Sequence, residues 1–188
     1  MNIELGEEEN GVLKARLKDS YPAVANALRR TMMARVHTLA IKEIDVVKNE
    51  SGLFDEDLAN RLGQVPFTIP KKFDEDDKLH IAIKKEGQGK VKSGDIQTDN
   101  EEAEPVQEGV DIVTLKEDQD LELEGTAVLG TGRDHAKHQG GTIGYEKDGD
   151  DFIFRIESTS GYTNEELLQA SIDELKDELT DFEEKLEA

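Results

Sequence analysis

The last 25 residues constrain this 188-residue chain more than any other stretch. Thr163 stands three positions before Glu166, the pattern of a capping box. Leu168, Ile172, Leu175, Leu179, Phe182 and Leu186 then follow at spacings of 4, 3, 4, 3 and 4. Apolar residues at that period predict one long helix with a continuous seam. Burying six such side chains is worth about 9–18 kcal/mol before ordering entropy is subtracted, so the seam has to be covered. Either it lies wholly on the chain's own sheet, or part of it packs on another helix. From Asn164 to Ala188 there are ten acids and two lysines. Self-pairing in parallel would therefore align like charges, and a different partner is the sharper expectation.

Upstream, the signals alternate between strand and helix. Ile3 and Leu5, then Leu13, Ala15 and Leu17, flank Asn10-Gly11 and read as a β-hairpin. Pro22 opens a helix reaching Val36, with Val24, Leu28 and Met32 on one face and Ala23 and Ala27 on a shallow one. A β-rich run covers 41–47. Phe54, Leu58 and Leu62 give a short helix stopped by Gly63. Strands are expected at 79–83, 112–115, 121–129 and 152–156. Between them, 98–109 holds five acids, one Pro and no Lys or Arg, and reads as a solvated loop. Residues 130–144 read as a Gly-rich, His-bearing loop, and 145–152 as a short link. The class is α+β, and no repeat of 20–50 residues is visible.

Charge narrows the function. Lys plus Arg is 23 and Asp plus Glu is 44, a net −21. Surfaces that neutralise phosphates or anionic lipid gather Lys and Arg, so direct nucleic-acid and membrane binding are disfavoured. No apolar run approaches the ~20 residues that span a bilayer, and Met1 opens on no leader-like stretch. A cytoplasmic home is the expectation. Zero Cys removes disulfides, thiolate metal sites and Cys nucleophiles together.

The first helix is locally basic, with Arg29, Arg30 and Arg35 and no acid. A planar guanidinium suits interface carboxylates better than it suits a phosphate grip in so acidic a chain. Gly130 to His138 fits neither spacing of a phosphate-binding glycine loop. His135 and His138 could supply two metal ligands, but no acid completes a catalytic motif. Carboxylates are too numerous for any acid–base pair to stand out, and no catalytic residue is assigned.

Several stretches together carry a family resemblance. They are Asn26-Ala27-Leu28-Arg29-Arg30, Asn49-Glu50-Ser51, and Asp55 to Pro66 with its Arg61-Leu62-Gly63-x-x-Pro66. Two more are the Gly-rich run ending in His135-Ala136-Lys137, and Phe152 to Ser158. In these the chain resembles the D-type subunits of archaeal DNA-directed RNA polymerase. That family is similar to the third subunit of eukaryotic polymerase II and to the N-terminal domain of bacterial α. The resemblance implies a discontinuous dimerisation domain, residues 1–39 plus 149–188, built as a sheet with two long helices. An inserted β-rich domain, 40–148, interrupts it.

It further implies a non-catalytic assembly platform for transcription. Val24, Leu28, Met32 and the C-terminal seam would face the smaller subunit L. Arg29, Arg30, Arg61, Arg133, His135 and Lys137 would face the large subunits, which hold the catalytic magnesium. Small subunits N and P complete the implied partners. Without Cys, the iron–sulfur cluster or zinc of some relatives is not expected, and no iron–sulfur domain separates 145 from 152. The alternative is a free-standing acidic adaptor that shares the dimerisation fold.

Overall fold

A computed structural model describes residues 1–187. The chain divides into two compact units, residues 1–37 with 131–188, and residues 38–130.

The first unit begins with the expected hairpin, β1 (Asn2–Glu9) and β2 (Val12–Lys18). Asn10 and Gly11 take φ of +53° and +78°, the left-handed pair that a tight two-residue hairpin turn demands. Helix α1 (Pro22–Ala34) follows, with Pro in its first turn. The chain returns to this unit as β9 (Gly141–Asp148), β10 (Asp151–Ser158) and α3 (Asn164–Glu187). The antiparallel sheet runs β1-β2-β10-β9. Alternation decides which side chains point inward: Leu13, Ala15 and Leu17 from β2 meet Phe152, Phe154 and Ile156 from β10. Ala25, Leu28 and Met32 of α1 and Leu167 and Leu168 of α3 close this core. Tyr145 meets Phe152 edge-on, with ring centroids 5.6 Å apart.

The second unit contains β3 (Thr38–Asn49), α2 (Asp55–Gly63), β4 (Leu79–Glu86), β5 (Gly89–Lys92), β6 (Gln97–Thr98), β7 (Asp111–Leu115) and β8 (Asp120–Gly130). A four-stranded sheet, β3-β8-β4-β6, is joined by a β5-β7 ribbon. Its separate core gathers Leu58 and Leu62 of α2 with Phe67, Ile81, Ile83, Ile112 and Leu123.

Three expectations change. Residues 141–148 form a strand and belong to the first unit, so the loop expected over 130–144 and the link over 145–152 are replaced by a β9–β10 hairpin. The compact second unit itself spans 38–130. The acidic segment 98–109 is pinned: Ala103 is fully buried, Thr68 Oγ1 donates to the Glu102 carbonyl at 2.9 Å, and Phe67 bridges to Pro105. Its carboxylates are exposed while its backbone is held, which composition does not distinguish from disorder.

Candidate partner interface

Helix α3 starts from a firmly built end. Thr163 Oγ1 accepts from the Glu166 backbone N–H at 3.2 Å, and Glu166 Oε2 accepts from the Thr163 N–H at 2.8 Å. The expected capping box is thus formed, and hydrogen bonds from the Thr163 backbone and side chain hold the Glu166 carboxyl below its ordinary range. Buried Asn164 accepts from Ser158 N–H at 2.7 Å and donates to the Gly11 carbonyl at 3.0 Å. Tyr162, its hydroxyl shifted upward by burial, donates to the His37 carbonyl at 3.1 Å.

The seam then divides along its length. Leu168 is buried, and Ile172 and Leu175 are half-buried against the first unit's core. One turn further, Glu178 forms an ion pair with Arg35. Beyond that tie the apolar side chains stand in water: Leu179 is 63% exposed, Phe182 60% and Leu186 70%. At 1.5 Å per residue, the bare stretch from Leu179 to Leu186 extends about 10 Å. Leaving three large side chains bare forgoes about 5–9 kcal/mol of burial.

This strip continues into an open groove of about 440 Å³ between α1, α3 and the first strand. Ile3, Val24, Leu28, Ile172, Leu175 and Leu179 contribute its apolar walls. Of the α1 residues expected at the interface, Val24 is half-buried, whereas Leu28 and Met32 lie inside the chain's own core. Leu28 still lines the groove; Met32 is fully enclosed. The 4-residue period of α1 therefore marks its inward face.

The Gly-rich loop has a structural purpose that the sequence did not disclose. It lies against the C-terminal end of α1, where Arg133 N–H bonds the Ala34 carbonyl at 3.2 Å and Gly140 N–H the Met33 carbonyl at 3.4 Å. These bonds satisfy acceptors that a helix end leaves open. A Cβ at position 140 would sit 2.2 Å from the Met32 carbonyl oxygen and 2.8 Å from Leu167. Only glycine allows this approach. Leu167 is fully buried there, although the seam pattern pointed to its neighbour Leu168; the adjacent Gly140-Gly141 pair was the available signal.

The expected docking cations are placed unevenly. Arg30 and Arg133 are exposed and lie near Arg35, and burial together with these two like charges shifts the Arg35 guanidinium downward. His135 is exposed with its Nδ1 accepting the Lys137 N–H at 3.1 Å, and Lys137 is half-buried. Arg29 donates from Nε to the Ile143 carbonyl on β9 at 3.1 Å. Arg61 belongs to the other unit, where Nη1 donates to the Ile112 carbonyl at 2.6 Å. Both tie their own elements together. His138 is buried while His135 is not, and among the described residues no three His, Asp or Glu side chains are grouped to hold a metal ion. No described helix is long and apolar enough to cross a membrane.

Residues 36–146 match the family model described as the RNA polymerase Rpb3/RpoA insert domain. The chain belongs to this family. It is 49% identical over 125 residues to DNA-directed RNA polymerase subunit Rpo3 of Natronomonas pharaonis, covering 66% of this chain and 51% of that one. To the Halobacterium salinarum Rpo3 it is 41% identical over 145 residues, covering 77% and 58%. To that of Pyrococcus furiosus it is 37% identical over 153 residues, covering 78% and 59%. The chain thus spans between half and three fifths of the length of these Rpo3 relatives. The family match extends over the whole second unit and most of β9, and includes Arg61, Arg133, His135 and Lys137.

Proposed function

We propose that the chain is a non-catalytic assembly subunit of DNA-directed RNA polymerase, heterodimerising through α1 and α3 with a smaller subunit of the L type. The observation that carries this reading is the division of one seam. Its first half is consumed by the chain's own core, and its second half, Leu179, Phe182 and Leu186, is bare and continuous with an apolar groove. A partner helix laid along α3 would bury both at once.

The acidic flanks of α3 disfavour a second copy of the chain as that partner. Arg30, Arg133, His135 and Lys137, grouped around the end of α1, would meet carboxylates on the large subunits, with the small N and P subunits completing the assembly. Nucleotidyl transfer would take place on the large subunits, in the cytoplasm. Co-expression with an archaeal subunit L followed by size-exclusion chromatography tests the reading. A 1:1 complex is expected, and its absence at every salt concentration removes the central claim.

A further inference from the structure

The hairpin turn that opens the first unit holds a chemically labile pair. Asn10 is the only asparagine in the chain that a glycine follows. Both residues are exposed, and beyond the adjoining residues no atom lies within 4 Å of the position a Gly11 Cβ would take. The β1–β2 ladder closes at Glu9 and Val12, so the pair stands outside it. An asparagine carboxamide is open to attack by the backbone nitrogen of the next residue, and the side chain of that residue ordinarily shields it. Glycine has none.

The same turn is fastened to α3. Asn164, the first residue of that helix, donates from Nδ2 to the Gly11 carbonyl at 3.0 Å and accepts at Oδ1 from Ser158 N–H at 2.7 Å. One buried side chain thus ties the hairpin turn and the end of β10 to the start of α3. Asn10 and Gly11 are held at φ of +53° and +78°. Closing a ring between the Asn10 carboxamide carbon and the Gly11 nitrogen requires rotation about the Asn10 Cα–C bond, out of the left-handed region. The turn has to open first, and the Asn164 bond opposes that opening.

We propose that Asn10-Gly11 is a site of spontaneous deamidation and isoaspartate formation, gated by the Asn164 bond, and that its product loosens the start of α3. The Gly11 nitrogen, its proton lost to base, bonds to Asn10 Cγ; the Cγ–Nδ2 bond breaks, and the amide nitrogen takes up a proton and leaves as ammonia. A succinimide remains. Water then adds to either ring carbonyl. Cleavage at Cγ leaves aspartate, and cleavage at the Asn10 backbone carbonyl leaves isoaspartate, in which the chain runs through Cβ and Cγ. No step is a redox change. Isoaspartate puts an extra backbone carbon into a two-residue loop whose length sets the hairpin register, and so moves the Gly11 carbonyl off Asn164.

The test incubates the full chain at mildly alkaline pH, follows the tryptic peptide 1–14 by mass spectrometry, and reads isoaspartate by its enzymatic methylation. Wild type should gain the mass of one amide-to-acid conversion at Asn10, faster as pH rises. Asn10→Gly suits the left-handed turn, carries no carboxamide and should gain nothing. Asn164→Asp keeps the acceptor for Ser158 and removes the donor to Gly11. It should deamidate at Asn10 about fivefold faster, the change in turn opening that loss of one ordinary hydrogen bond gives. Leu168→Ala, which weakens the core without touching the turn, should keep the wild-type rate. Aged wild type should exchange amides in the first turn of α3 faster than equally aged Asn10→Gly. An unchanged Asn10 in the folded chain, under conditions that deamidate the isolated peptide 1–14, overturns the site. Equal rates in wild type and Asn164→Asp overturn the gating, and unaltered exchange in aged wild type overturns the effect on α3.

Discussion

Arg35, just past the end of α1, and Glu178, in the middle of α3, form the ion pair at which the C-terminal seam changes from covered to bare. N-terminal to it, α3 serves the chain's own core; C-terminal to it, Leu179 and Phe182 face solvent. The pair is partly buried and ties the C-terminal end of α1 to the middle of α3. Arg35→Ala should lower the melting temperature only slightly, because partly exposed ion pairs contribute about 1 kcal/mol or less. Amide hydrogen exchange should nonetheless quicken from residue 176 onward, more than in the first half of α3.

Leu168 and Phe182 lie on the same seam and should behave oppositely. Leu168→Ala removes a buried side chain and is expected to cost about 2–5 kcal/mol in urea unfolding. Phe182→Ala should leave the isolated chain's stability within about 0.5 kcal/mol. Equal losses from both substitutions would mean that the whole seam is buried by the chain itself.

Gly140→Ala should destabilise the first unit by about 1–3 kcal/mol, since its methyl would meet the Met32 backbone carbonyl, which cannot swing aside, as well as the buried Leu167 side chain. Gly52→Ala, with nothing within 4 Å of its Cβ position, is the matched control and should be nearly silent.

Carboxylates in local pairs set the acid limb. Hydrogen bonds from Arg16 hold Asp151 below the ordinary range, as those from Lys48 do for Asp120 and from Lys85 for Asp95. A folded-state value below the unfolded one adds stability above about pH 4, lost as pH falls through the folded value. The melting temperature should therefore drop on acidification below about pH 4. An Asp95→Asn, Asp151→Asn double variant should start lower at neutral pH and fall less.

The net charge of −21 should make the chain more stable as salt rises. Self-repulsion acts over the Debye length, about 10 Å at 0.1 M and 3 Å at 1 M. A urea midpoint that does not increase between those concentrations would remove this expectation.

Elements with strong local signals were legible in sequence. The Asn10-Gly11 hairpin, α1 with its Pro, and α3 with its capping box are each specified by neighbours within a few residues. β9 was not legible, because Gly141, Gly144 and the charges after Tyr145 hide an edge strand whose pairing partner, β10, supplies its order. The anchoring of loop 98–109 was not legible for a similar reason: Thr68 and Phe67, thirty or more residues away, hold it. At the interface, the period of α3 located the seam but not where it emerges from the core. That depends on where the sheet and α1 end, which no spacing within α3 encodes. The hydrogen bonds of Arg29 and Arg61 to the carbonyls of Ile143 and Ile112 leave no sequence pattern.

The division of the seam is tested most directly by sedimentation equilibrium of the chain mixed with an archaeal subunit L, comparing wild type with Leu179→Asp. A carboxylate placed in an apolar helix interface costs several kcal/mol, while at a position already 63% exposed it leaves the free chain intact. The account predicts a 1:1 complex for wild type, at least a hundredfold weaker association for Leu179→Asp by about 3 kcal/mol of lost binding, and the same melting temperature for both free chains. Undiminished association of Leu179→Asp with subunit L would contradict it.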